Sequence, residues 1–490
     1  MKQHLLRLGC ALLASLLLCG TLAGLVGCVN PDDDGSSSAT GVGSNGVVGQ
    51  DTEKTATEYV PDIGKTDYNA TFNVVCIGFD QSLLFLEEED KREGNSLDEA
   101  VYERAVLIDD QIGVEFQFAE AGDWISYSGN VSRTVQTGDD AYQLVLTHVY
   151  QGVTDLVTSN ALMSFSDLPS VNLDAPYWNR NLMDDLRIGD RYLLGYGDFL
   201  LSNTHCVVFN KDIMKEYRME DPYQLVKNKK WTVDRLFEMA SNVSRDNGDG
   251  KWTVDDYYGI SGWRWVPLIT LVTSCNMKIV DKDADTGAYY IAVEDQTERM
   301  LALIEKVKAM CEADYSYMWP ATGYKALPFE DGHTLFQLSP TTSLIGYAAE
   351  DIRFGVLPYP KFDEAQEEYR SLNWNGVMGV PASVAKHNPK MVGDALELLG
   401  YYSGAVKTAY YEVQLGAKVA EAQEDADMLD IIWKSLVSDI GLVCCNSSGS
   451  MDSLVYMLPN LASDKKANFA SYVKKNKTAA QKGLNRVFDQ

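Results

Sequence analysis

The chain has 490 residues, 46% of them apolar, and a formal charge of −28. So negative a surface repels phosphate backbones, which excludes nucleic acid as a partner, while the apolar share is that of a globular protein. The five histidines are widely separated and form no HExxH or paired-His pattern, so neither a metal centre nor another cofactor is expected.

The first element in the chain is an export signal. Lys2 and Arg7 precede an uncharged apolar run from about residue 8 to residue 25, and small residues lead up to Cys28. Leu25-Val26-Gly27-Cys28 reads as a bacterial lipobox. Residues 1–27 are therefore expected to be a lipoprotein signal peptide, with Cys28 as lipidation site and mature N-terminus. A run of about 18 apolar residues could just span a bilayer, but no basic cluster follows it, only Asp32-Asp33-Asp34. Two acyl chains would instead hold the protein at a membrane surface without spanning it. The expected location is the cell membrane, lipid-anchored, on its extracytoplasmic face. Residues 28–69 are rich in Asp, Ser, Gly and Thr and cannot bury enough apolar area to offset their ordering entropy, so they read as a flexible tether.

About 420 residues remain, more than one hydrophobic core usually serves, so two lobes are expected. Residues 71–78 form a short β-branched run that reads as a buried strand; residues 97–112 carry a helical stripe, and 114–119 read as a second strand. That β-α-β order predicts a parallel sheet and an α/β fold. Next come a helix over 140–150 and a strand over 154–157, which brings Ser159 and Asn160 to a strand end. Residues 192–212 read as strand, loop and strand around Gly195, Gly197 and Asp198. A helix starts after Trp231, with Thr232 as N-cap, Asp234 in the first turn and Trp231 stapled onto Leu236. Further helices are expected over 294–311, after Pro381 and over 425–437. Cys76, Cys206, Cys275, Cys311, Cys444 and Cys445 show no CxxC spacing, so no disulfide framework is expected.

Several segments recur in a specific order: Phe209-Asn210-Lys211-Asp212, Glu220-Asp221-Pro222-Tyr223, Lys230-Trp231-Thr232, the stretch from Phe329 to Phe336, the stretch from Phe354 to Lys361, and Val380-Pro381. Behind a lipobox, this series resembles family 1 extracellular solute-binding proteins of ABC importers, of the clostridial lipoprotein type. The resemblance implies a two-lobed, type II periplasmic-binding-protein-like α/β fold with discontinuous lobes joined by a hinge. Lobe 1 would comprise 70–203 plus 378–412, and lobe 2 would comprise 204–377 plus 413–490, with chain crossings near 201–204, 374–379 and 410–416. It implies a monomeric, non-catalytic receptor that closes on a carbohydrate ligand, an oligosaccharide in particular, and delivers it to the membrane subunits of an ABC permease. Two alternatives stay open: a non-sugar solute such as a peptide or small acid, and a surface glycosidase or adhesion lipoprotein.

Sugar recognition needs flat aromatic faces for the apolar side of each ring, with carboxylates and amides for the hydroxyls. By the resemblance, Trp178 takes the place of an aromatic pair, and Trp374 with Asn375 lies at the second crossing. Trp263 and Trp265 follow a Gly259–Gly262 turn; Asp80 ends the first strand, and Asp198 closes the Gly195-Tyr196-Gly197 loop. Trp319 stands in a similar Pro-rich setting, and Ser159 and Asn160 are secondary choices. Core packing for the tryptophans and turn-capping for the aspartates are the competing readings. The segment 246–256 resembles a calcium loop with Asn247, Asp249 and Asp256 at ligand positions, yet Arg245 falls where an essential oxygen belongs. A helix-to-strand turn with Trp252 packed beneath it is the favoured reading.

Overall fold

A computed structural model describes residues 59–488, apart from 202, 320–326, 351, 375, 418–421, 446–449 and 465. The signal peptide, Cys28, most of the tether and Asn375 lie outside the described residues.

The opening β-α-β unit forms as its sequence predicts. β1 (Ala70–Cys76) buries Phe72, Val74 and Val75. The helix Ser96–Ile112 starts on Asn95, whose side chain accepts the N–H groups of Leu97 and Asp98, and it stops at Gly113 in the left-handed region (φ 65°). β2 (Val114–Ala119) then pairs with β1 in parallel register, Ala70 opposite Val114. The next two elements exchange places relative to expectation. Residues 144–148 are a strand, β3 (Leu144–His148), parallel to β1, and residues 153–158 are the helix Val153–Thr158. β3 is covered on both faces, so it reads as a continuous apolar run without period. Ser159 and Asn160 therefore cap a helix instead of ending a strand; Ser159 Oγ donates to Ser132 Oγ, and Asn160 adopts φ 54°.

After β4 (Leu162–Met163) the chain leaves the first sheet and builds a second. β5 (His205–Asn210), β6 (Tyr257–Trp263), β7 (Ser316–Trp319), β8 (Thr334–Pro340) and β9 (Phe354–Leu357) are ordered β7-β6-β8-β5-β9. The chain then returns with β10 (Gly376–Pro381), completing the first sheet as β2-β1-β3-β10-β4. Along each of these strand orders one strand runs against its neighbours: β10 is antiparallel to β3 and β4, and β5 is antiparallel to β8 and β9, while the two-residue strand Ser244–Arg245 pairs antiparallel with β6 off the main order. Both antiparallel strands follow directly on a crossing between lobes. Residues 376–377, grouped with lobe 2 from sequence, lie inside β10 and so belong to the first sheet.

The boundary of the ordered body also shifts. Residues 59–69, assigned to the tether, dock on the first lobe. Tyr59 meets the Tyr177 ring at 5.9 Å, Thr66 N donates to Gln111 O (3.0 Å), Tyr68 N to Ile112 O (2.8 Å), and Tyr68 OH to Asp394 (2.8 Å). The helix Ser403–Leu415 packs against Ser96–Ile112 of the first lobe and Leu344–Ala349 of the second. The helix Gln423–Lys434 packs on β9, the helices after it pack on the helices Val266–Ser274 and Thr297–Glu312, and Thr154 Oγ1 of the first lobe donates to Val443 O among them (2.9 Å). No disulfide forms among the described residues. None of their helices is long and apolar enough to cross a membrane.

Candidate functional site

Open α/β sheets present their loops, and hence their ligand contacts, beyond the carboxyl ends of the parallel strands. Here those ends meet across the two lobes. Beyond β2 stands Trp124, His148 ends β3 with Tyr150 just beyond it, on the crossing before β10 stands Trp374, and beyond β6 stands Trp265. Tyr456, from the C-terminal helices, completes the group. Successive ring centroids are 5.5 Å apart for Trp124 and His148, 6.0 Å for His148 and Trp374, and 5.9 Å for Trp374 and Tyr150. The run continues at 6.2 Å to Tyr456 and 5.0 Å to Trp265. Six aromatic rings thus form one track from the first lobe to the second.

The track is held in place by polar contacts beneath it. Asp123 Oδ1 accepts from Ser126 N (2.9 Å) and Ser126 Oγ (2.6 Å), which shapes the loop carrying Trp124. His148 Nδ1 accepts the Tyr150 N–H (3.1 Å), leaving Nε2 as the protonated nitrogen of a neutral ring. Burial pushes the His148 imidazole down to about 4, so it stays neutral at ordinary pH. Gly78 turns with φ 77°, and a Cβ there would come within 3.1 Å of Trp124 and 3.4 Å of His148. Only glycine lets β1 end this close beneath the two rings. Both terminal tryptophans keep accessible faces, 42% for Trp124 and 38% for Trp265.

Polar groups line two cavities, the second of which adjoins the track. A cavity of about 230 Å³ is walled by the segment after β1, with Asp80 and Gln81, by Asn203 on the first crossing and by Thr342 of the second lobe. Asp80 Oδ1 accepts from Ser82 N (3.1 Å) and Ser82 Oγ (2.6 Å) and so caps the turn Gln81–Leu83. A second cavity of about 290 Å³ adjoins Trp265 and Tyr456 and is lined by Arg264, Asp452, Ser453 and Asn460.

The residues expected from sequence divide. Trp265 and Trp374 lie on the track, Asp80 lines the first cavity, and Trp263 is half-buried at the end of β6. Trp178 does not. It is 5% exposed in the core of the first lobe, between Phe165 and Phe199, with its indole N–H donated to Glu397 (2.8 Å). Asp198 faces Lys407 at 3.7 Å, which it shares with Asp430, and lines neither cavity. The side chain of Trp319 lies outside the described residues. Within 246–256 the side-chain oxygens serve the loop itself: Asp246 accepts from Gly248 N (2.6 Å), Asn247 from Asp249 N (3.1 Å), and Asp256 from Asn247 N (2.8 Å). Among the described residues no three His, Cys, Asp or Glu side chains converge as a metal site. Trp252 is not packed beneath this turn; it lies half-exposed against Tyr258 at 5.6 Å. Sequence reasoning missed Trp124, His148, Tyr150 and Tyr456.

Neither a protein-family model nor a curated protein sequence matches the chain. Solved structures do. A cyclo/maltodextrin-binding protein complexed with maltotetraose superposes with a TM-score of 0.52 at 14% identity, over 88% of this chain and 98% of that one. An ABC substrate-binding protein of Listeria monocytogenes in complex with cycloalternan gives 0.51 at 11% identity, over 86% and 99%. UgpB of Mycobacterium tuberculosis in complex with glycerophosphocholine gives 0.50 at 17% identity, over 81% and 96%. What these proteins share with the chain is the fold, the two-lobed α/β architecture that the sequence motifs lead one to expect.

Proposed function

We propose that the protein is the substrate-binding lipoprotein of an ABC importer, a receptor without catalysis that takes an oligosaccharide between its lobes and passes it to the permease. The observation that carries this reading is the aromatic track. Aromatic rings that follow one another mostly edge to face across two lobes offer several apolar faces to a ligand built of several sugar rings, and the polar groups of the cavities suit its hydroxyls. Two of the fold neighbours named above are complexes with a maltodextrin and with cycloalternan. Lipidation at Cys28 would keep the receptor beside its permease while the lobes open and close. A second reading is a solute with a quaternary ammonium group, because aromatic faces also attract cations and one neighbour holds glycerophosphocholine.

The test is a thermal-shift panel of maltotetraose, cycloalternan, mannotriose and glycerophosphocholine, with each solute recovered afterwards. A raised melting temperature with the glycan returned intact supports the receptor. A shift with glycerophosphocholine alone moves the reading to the second solute class, and hydrolysis of the glycan makes the protein a glycosidase.

A further inference from the structure

The helix Ser96–Ile112 carries a cation where the core should exclude one. Arg104 is 1% exposed, and among the described residues no carboxylate pairs with it. Its guanidinium donates instead to three neutral acceptors: Leu83 O (2.9 Å), Leu84 O (2.5 Å) and Ser403 Oγ (2.8 Å). A buried charge without a counter-ion is costly, and an apolar side chain would fill the same space without that penalty. What the guanidinium supplies, and an apolar group cannot, is a rigid fork of directed donors.

Those donors join two walls of the 230 Å³ cavity between the lobes. The carbonyls of Leu83 and Leu84 are the open C-terminal end of the turn Gln81–Leu83, whose other end is capped by Asp80. The same turn presents Asp80, Gln81 and Ser82 to the 230 Å³ cavity. Ser403 opens the helix Ser403–Leu415, which packs on both lobes and lines that cavity with Tyr410 and Val413. Ser403 Oγ gives its own proton to Leu399 O (2.6 Å), which leaves its lone pairs to Arg104.

We propose, on the reading that this cleft binds the solute, that Arg104 is a positioning residue that holds the Asp80–Leu84 segment in register with the helix shared by both lobes. It touches no ligand. It fixes the polar edge of the cleft before the ligand arrives, so that ordering the segment is not charged against binding.

The experiment compares the parent with Arg104→Met, Arg104→Lys and Ser403→Ala by hydrogen exchange of the ligand-free proteins, and by affinity for the best solute of the panel. Arg104→Met is expected to lower protection of amides 82–85 at least tenfold while the amides of 101–112 keep theirs, and to weaken binding at least fivefold. Arg104→Lys recovers part of both, and Ser403→Ala falls between the lysine variant and the parent. Unchanged protection at 82–85, or protection lost with affinity intact, overturns the proposal. Should the methionine variant not fold, the lysine and alanine variants decide by the same two readouts. Should no solute bind even the parent, the functional reading fails, while the exchange comparison still decides whether Arg104 holds the segment.

Discussion

Trp178 and Trp374 are each followed by asparagine in the sequence, yet the structure gives them opposite surroundings, and substitution should separate them. Trp178→Ala removes a fully packed indole, a change that costs about 3–5 kcal/mol in a core. It also takes one donor from Glu397, which keeps Tyr177 and the Asn172 N–H. For a chain of this size about 1–2 °C of melting temperature accompanies each kcal/mol, so a fall of roughly 3–10 °C is expected. Trp265→Ala acts elsewhere. Its ring is 38% exposed and touches Tyr456, so the stability loss should be about 1 kcal/mol or less. Loss of an aromatic anchor from a binding surface costs about 1–3 kcal/mol, or about 5- to 150-fold in Kd, and Trp374→Ala should behave likewise. Melting by differential scanning fluorimetry and titration calorimetry with the best solute of the panel measure both quantities on the same samples. If Trp178→Ala lost the ligand at parental stability, or if both cleft variants bound as the parent does, the placement of the cleft would be wrong.

Four further outcomes are expected. Burial raises the Asp439 carboxyl to about 6 although it accepts the N–H groups of Ile279 (2.7 Å) and Gly441 (2.6 Å). An acid whose folded pKa lies above its unfolded one contributes stability at low pH that is lost as pH rises through about 6. Asp439→Asn should therefore gain about 1–2 kcal/mol on the parent between pH 5 and pH 7.5 in urea titrations, and a constant difference counts against this. His148 has the opposite sign: with its folded pKa near 4, it costs stability as pH falls below the unfolded value. Ligand affinity should be flat from pH 8 to pH 5 and weaken only near pH 4, as calorimetry across pH would show. Gly376→Ala would set a Cβ 1.5 Å from Phe79 Cζ and force that half-buried ring to move, so it should cost about 1–3 kcal/mol in chemical denaturation. A chain starting at residue 59 should melt with the parent, whereas one starting at residue 70 loses the Tyr68 bonds to Ile112 and Asp394 and should be about 2–4 kcal/mol less stable.

The parts of the fold that were legible in the sequence are those whose signals are local. The helical stripe over 97–112 matches the helix Ser96–Ile112 within a residue, and Thr232 starts another helix by accepting the Arg235 N–H. The stretch from 140 to 158 failed for a physical reason. A strand covered on both faces has no polar alternation, and a six-residue helix is too short to show a 3.6-residue period. That single exchange hid two of the six rings, because His148 and Tyr150 are recognisable as cleft residues only once β3 is seen to end at His148. Trp178 was misplaced for another reason: the carboxylate that accepts its indole N–H, Glu397, is 219 residues away in sequence. Tyr456 was missed because its role depends on how the C-terminal helices settle against the helices Val266–Ser274 and Thr297–Glu312.

The two sheets share one strand order with no repeat in sequence, and that explains where the site falls. In each, the reversed strand is the one the chain lays down immediately after crossing, so the crossings run beside the carboxyl ends of the parallel strands. Trp374 stands on one of these crossings, against His148 and Tyr150 of the first lobe, and the track passes to the second lobe from Tyr150 to Tyr456. Trp124, His148 and Tyr150 are therefore carried by one lobe, Trp265 and Tyr456 by the other. A solute lying along all six rings meets the full track in only one relative setting of the lobes. Its affinity for that setting over any other is then the free energy that drives closure, so substitutions at the two ends of the track should change binding and closure together.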